Sequence, residues 1–171
     1  MLPFDRVFND VARREACVLA LQDAASSTLG TLLFREFYCS DRGCDCRRVV
    51  LHAHWVEQQR VVASIGYGFE PAAPPFDDEP QVMLDPLNPQ SELSEQILRL
   101  FEEVVERDAD IRAAFVRHYE QWKRVVDDPS HPDHAKLRPP IPPNQRCPCR
   151  SGKKFKNCCG RPEAGDASSA P

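Results

Sequence analysis

Five prolines fall between Pro132 and Pro143, and no regular element can run through them. Each lacks an amide hydrogen and fixes φ near about −65°. The stretch DDPSHPDHAKLRPPIPPNQ therefore reads as a stiff, extended spacer. It divides the 171 residues into a body (1–128), a linker (129–143), a small C-terminal tip (144–161) and a disordered tail (162–171). The body alone is long enough to bury a hydrophobic core. With 42% hydrophobic residues the composition is globular, and no apolar run approaches the roughly 20 residues of a membrane span. The opening residues MLPFDRVFNDVARREA interleave charged and apolar side chains, unlike the basic-then-apolar order of a secretory signal. That points to a cytoplasmic, reducing setting, where clustered cysteines are read as metal ligands or reactive thiols before disulfides.

The body predicts an α+β fold. Phe4, Val7, Phe8, Val11, Val18 and Leu19 recur at helical spacing, which predicts an amphipathic N-terminal helix over about residues 3–25. Three runs rich in β-branched and aromatic residues follow: Thr31–Cys39, Cys46–Val56 and Arg60–Phe69. They predict strands of an antiparallel β-meander. Val49, Leu51, Ala53 and Trp55 would share one face of the second strand, and Val61, Ala63, Ile65, Tyr67 and Phe69 one face of the third. The proline-rich segment from Pro71 to Pro89 predicts a loop. Two C-terminal helices come next: SELSEQILRLFEEVVE, capped by Ser91, and DADIRAAFVRHYEQWKRVV, capped by Asp108. A proline-rich linker and a small zinc knuckle complete the expected architecture.

The tip holds Cys147, Cys149, Cys158 and Cys159 in the pattern C-x-C-x8-C-C. A tetrahedral Zn²⁺ with sulfur ligands at about 2.3 Å requires sulfurs roughly 3.8 Å apart. Adjacent Cα atoms are also about 3.8 Å apart, so a Cys-Cys pair can span one edge of that tetrahedron. The same spacing is short for a disulfide, which requires Cα atoms about 4.4–6.8 Å apart. Ser151-Gly152 permits a tight reversal, with Gly152 free to take positive φ. Four thiolates would close the coordination sphere, making the ion structural rather than catalytic. Apart from Phe155 the tip has almost no core, so the metal would supply its folding energy.

The stretch CPCRSGKKFKNCCG resembles the SEC-C motif, the short zinc-binding module best known at the C-terminal end of the SecA preprotein-translocase ATPase. The resemblance covers about Asn144 to Arg161, including Asn144, the CPC triplet, Ser151-Gly152-Lys153-Lys154, the aromatic Phe155, Lys156 and the final Cys-Cys-Gly. It implies Zn²⁺ on Cys147, Cys149, Cys158 and Cys159, the last in place of a His found in some members. It also implies docking on a protein or ribosomal partner. Arg150 departs from the family pattern, standing where Gly is usual. No G-x-x-x-x-G-K-[ST] loop is present, so the motif's best-known carrier, a translocation motor, is not implied.

Charge agrees with a docking tip. Six of the 22 basic residues lie between Asn144 and Pro162 with no acidic residue, leaving 16 basic against 26 acidic residues elsewhere. An acidic body with a basic tip suggests that Arg150, Lys153, Lys154 and Lys156 meet an anionic partner surface. Aromatic residues are not interleaved with these cations, so sequence-specific DNA binding is not expected.

A second cluster, Cys39, Cys44 and Cys46 in YCSDRGCDCRR, sits where the first predicted strand turns into the second. Three thiols make a partial metal knuckle, and candidates for a fourth ligand are Cys17, His52, His54, His118, Asp41 and Asp45. Helix phase sets Cys17 away from the apolar stripe, and His52 and His54 lie about 20 Å along a strand from Cys46. Reduced structural cysteines and a redox-responsive pair are alternative readings. The stretch YC-x4-CDCRRV is also similar to one in bacterial proteins that end in a SEC-C motif, which implies a two-part family. Asp41, Arg42, Asp45, Arg47 and Arg48 would form a solvated, salt-bridged rim. Glu36, inside an apolar strand, would pair with Arg47 or Arg48 across the hairpin. His118, beside Phe115, Tyr119 and Trp122, would be a satisfied packing histidine, and His131 and His134 loop filler. No catalytic motif is present. Two function classes are compatible: a zinc adaptor with a docking tip, or a redox- or metal-dependent enzyme or sensor that uses Cys39, Cys44 and Cys46 and is localised by its tip.

Overall fold

In the computed structural model the described residues are 1–22, 28–70, 80–137, 142–147 and 151–158. The chain divides into two compact units, Met1–Leu137 and Arg138–Pro171. The first is α+β, built on a six-stranded antiparallel sheet: β1 (Leu2–Pro3), β2 (Cys17–Gln22), β3 (Thr28–Tyr38), β4 (Arg48–Trp55), β5 (Arg60–Gly68) and β6 (Val82–Leu84). The order runs β1-β3-β4-β5-β6, with β2 sharing with β1 the same edge of β3.

The three central strands form where β-branched and aromatic residues alternate, as the meander requires. One face carries Leu32, Phe34, Glu36 and Tyr38 of β3, all buried. Register sets Phe34 beside Ala53, and Ala53 beside Ala63; Leu51 lies between Glu36 and Ile65. A bulge between Ala53 and His54 inserts Val62, so Val62 rather than Val61 is fully buried.

Helices α1 (Asn9–Arg14), α2 (Ser94–Leu100) and α3 (Ala109–Asp127) accompany the sheet, and a π-helical turn, Phe101–Val105, continues α2. Phe101 meets Phe34 and Tyr67, Phe115 meets Tyr67, and Trp122 meets Tyr38, each with ring centroids between 5.8 and 6.2 Å apart. These contacts place α3 and the end of α2 on the Phe34–Tyr38 face. The Asp108 carboxylate accepts from the amides of Asp110 and Ile111, capping α3 as its sequence requires.

Several elements differ from expectation. Residues 3–25 are not one helix: a 3-10 turn (Phe4–Arg6) and the six-residue α1 lead into β2. In CVLALQ, Cys17 is buried while Val18 is half exposed. That alternation fits a strand, and β3 supplies the ladder partners no helix would use. Cys17 is accordingly in the core, not opposite it. The loop assigned to Pro71–Pro89 contains β6, paired with Ile65, Gly66 and Tyr67; residues 71–79 lie outside the described residues. Ser91 does not cap α2 directly, since its hydroxyl donates to Val62 O and accepts from Leu93 N one turn earlier. Of the expected spacer, His134–Leu137 forms a 3-10 turn within the first unit and Leu137 packs on the core; residues 138–141 are not described.

Candidate metal centres

The loop joining β3 to β4 carries Cys39, Cys44 and Cys46. Their three sulfur atoms lie within 4.8 Å of one another. Two left-handed residues, Gly43 at φ 72° and Arg47 at φ 41°, curl the loop enough for this. Helix α3 then holds it from outside. Trp122 Nε1 donates to Cys39 O at 2.8 Å, Asp127 Oδ1 accepts from the Gly43 amide at 3.0 Å, and Tyr119 OH donates to Asp45 Oδ1 at 3.4 Å. Lys123 Nζ donates to Asp41 O at 3.4 Å and to Asp127 at 3.1 Å. Within the loop the Asp41 amide points at Cys39 Sγ at 3.4 Å.

This set fits a metal ion. Sulfurs within 4.8 Å need only a small contraction to reach the roughly 3.8 Å edge of a tetrahedral thiolate site. Burial raises the Cys39 thiol, and burial followed by its Cys44 and Cys39 neighbours pushes the Cys46 thiol up to about 11. The raised Cys39 and Cys46 thiols resist ionising side by side; a divalent cation in their midst reverses that balance. The cluster could therefore hold a metal. Among the described residues no fourth His, Cys, Asp or Glu joins the three within the same spacing.

The candidates for a fourth ligand outside the loop lie away from the cluster. Cys17 stands opposite Phe34, five residues or roughly 17 Å along β3 from Cys39, and burial pushes its thiol up to about 12. His52 and His54 stand opposite Arg35 and Leu33 on β3, four and six residues along the strand from Cys39. His118 is a satisfied core histidine. Its Nδ1 lies 2.8 Å from Glu36 Oε2, its Nε2 lies 3.3 Å from Glu15 Oε2, and its ring stacks on Phe4. Glu36 thus pairs with His118 and Tyr38 OH rather than with Arg47 or Arg48. The reason is facing: Glu36 belongs to the buried row of β3, which looks toward α3. The rim also differs from expectation, because Arg47 bonds Glu70 at 2.8 Å while Asp41 and Asp45 face α3. The supporting residues on α3 had a readable signal, since Tyr119, Trp122, Lys123 and Asp127 recur at i, i+3, i+4 and i+8.

In the second unit the described residues form a small hairpin. Arg146 bridges Lys154, Cys147 N donates to Lys153 O at 2.8 Å, and Phe155 N donates to Gln145 O at 2.8 Å. Gly152 takes φ 75° in the reversal. A 3-10 turn, Phe155–Asn157, delivers Cys158, whose sulfur lies 3.2 Å from the Ser151 hydroxyl. Cys147 is buried, whereas Lys153, Lys154 and Lys156 are exposed. Cys149, Arg150 and Cys159 lie outside the described residues.

Hairpin, turn and cysteines together have a known counterpart. Residues 144–161 match the SEC-C motif. Curated relatives reach the same conclusion by another route. The protein translocase subunit SecA of Nitratiruptor sp. is 40% identical over 68 residues, covering 39% of this chain and 7% of the relative. SecA of Trichlorobacter lovleyi is 40% identical over 81 residues, covering 39% and 9%. SecA of Clostridium tetani is 54% identical over 35 residues, covering 20% and 4%. The chain thus spans less than a tenth of the length of these relatives. No solved structure matches it. The SEC-C match does not reach the Cys39–Cys46 loop. Among the described residues, no helix is long and apolar enough to cross a membrane.

Proposed function

We propose that the protein is a zinc-binding adaptor: a SEC-C tip that docks on a protein or ribosomal partner, joined to an α+β body with its own metal centre. The observation that carries this reading is the SEC-C match over residues 144–161. Zinc is the expected ion in the tip, because four thiolates in a short hairpin suit a tetrahedral d¹⁰ cation. Its ligands are Cys147, Cys149, Cys158 and Cys159. In the body Cys39, Cys44 and Cys46 supply three thiolates, and Asp41, Asp45 or a water supplies the fourth position.

A docking role is supported by charge. Zn²⁺ with four thiolates carries about −2, so the six basic residues leave the tip at about +4. Arg150, Lys153, Lys154 and Lys156 form the proposed contact surface. The cytoplasm is the proposed location, since free thiols in these numbers persist in a reducing compartment.

Metal content tests the assignment. Protein purified under reducing conditions without chelator should carry two zinc ions per chain. Cys158→Ser should lose one, and joint replacement of Cys39, Cys44 and Cys46 by Ser the other. Full zinc content in the Cys158→Ser variant refutes the ligand set of the tip; a single zinc per chain refutes the centre in the body.

A further inference from the structure

The edge of β3 shared by β1 and β2 is not covered continuously. Cys17 of β2 pairs with Phe34, and Pro3 of β1 pairs with Phe37, so among the described residues no strand lies beside Arg35 and Glu36 on that edge. Between the two strands the chain leaves the sheet as the 3-10 turn and α1, then returns. Beneath this arch lies a cavity of about 400 Å³, a size that accommodates a small ligand.

Half of its lining residues are polar or charged, and they are unevenly matched. The Glu36 side chain is only 6% exposed, and its Oε2 takes both of its hydrogen bonds, from Tyr38 OH at 2.7 Å and with His118 Nδ1 at 2.8 Å. No described residue donates to Oε1, and Glu36 lines the cavity. Arg13 of α1 also lines the cavity, and no carboxylate among the described residues is paired with it. Arg35, also on the wall, is by contrast occupied by a two-pronged bond to Asp5 at 2.8 and 2.9 Å. The remaining lining residues are Asn9 and the apolar Phe4, Ala12, Ala16, Leu33 and Phe34.

We propose that this cavity binds a small apolar α-amino acid, or a close amino-carboxylate analogue, with its ammonium on Glu36 and its carboxylate on Arg13. The juxtaposition of a carboxylate with one oxygen to which no described residue donates, a guanidinium with no described carboxylate partner, and an apolar patch is complementary to a zwitterion with an apolar side chain. His118 and Tyr38 hold the Glu36 carboxylate in one orientation, so little ordering is left for the ligand to impose. The aromatic walls favour an aromatic side chain.

Calorimetric titration of the full chain with L-phenylalanine tests this, with phenethylamine and 3-phenylpropanoate as single-charge controls. Saturable binding of the amino acid is expected, weaker by about tenfold or more in Glu36→Gln and by several-fold in Arg13→Gln. Each control should bind more weakly than the amino acid. Arg13 is exposed and has no bonded partner among the described residues, so its variant keeps the test valid should Glu36→Gln fold poorly. Absence of saturable binding, or affinity unchanged in either variant, overturns the proposal and leaves a cavity that holds only water.

Discussion

Replacing His118 by Leu should be among the most damaging single changes in the body, and the reason is Glu36. His118 is 1% exposed and Glu36 6%, so their 2.8 Å contact is shielded from solvent. Leucine approximates the imidazole in bulk and leaves little cavity, yet it strips Glu36 Oε2 of its ring partner and leaves Tyr38 OH alone. Leaving a buried carboxylate without its partner costs about 3–5 kcal/mol. The stack on Phe4, at 4.5 Å between centroids, contributes about a further 0.5–1.5 kcal/mol. The His118→Leu variant should therefore unfold about 10 °C or more below the parent. Removing both partners is the decisive comparison. Glu36→Leu with His118→Leu deletes the stranded charge as well as the pair, and should recover most of the loss. Urea unfolding of the four proteins, with zinc saturating and no amino acid present, gives the coupling energy directly. If the double variant is as unstable as His118→Leu alone, or if the single variant costs under about 1 kcal/mol, the buried charge is not what His118 answers.

Three other outcomes follow from the same structure. Burial raises the Cys17 thiol to about 12, so the unfolded chain loses that proton first; stability is intact below about pH 8.5 and falls above it, by up to about 1.4 kcal/mol per pH unit, until near pH 12. Urea midpoints should show this alkaline slope, and Cys17→Ala should reduce it by nearly one proton. Trp122→Phe removes the donor to Cys39 O and should weaken metal affinity at Cys39, Cys44 and Cys46 by about tenfold or more, with the tip unaffected, in competition with a chromogenic chelator. Joint replacement of Lys153, Lys154 and Lys156 by Gln should slow association with a docking partner and flatten its salt dependence, since screening reaches about 8 Å at physiological ionic strength; zinc content should not change.

The sequence was most readable where a periodic pattern coincided with its own partner. The strands around Thr31–Tyr38, Arg48–Trp55 and Arg60–Gly68 alternate in register with one another, and Asp108 caps the helix that follows it. The SEC-C tip was legible because its spacing is a covalent property, independent of how the rest folds. The N-terminus misled for a physical reason. Phe4, Val7, Phe8 and Val11 do mark a helical turn, but Val18 and Leu19 continue its phase by coincidence, and the ladder along β3 captures them. Glu36 was placed on the correct strand and given the wrong partner, because strand alternation tells which residues share a face but not which helix covers it. Trp122, Tyr119, Lys123 and Asp127 were visible as one helix face; that this face meets the Cys39–Cys46 loop is a tertiary fact.

The shared edge of β3 has a kinetic consequence. Leu2 and Pro3 wait for Tyr38 and Phe37, and Cys17–Gln22 wait for Phe34 back to Thr28. On a growing chain, then, the first twenty residues have no sheet to join until the strand that receives them has emerged, and when it does it must also accept β4 on its other side. Loop closure is costly before such non-local contacts repay it. Substitutions that weaken β3 should therefore slow folding itself, whereas those in the three-residue β6, docked on the far side of β5, should chiefly hasten unfolding.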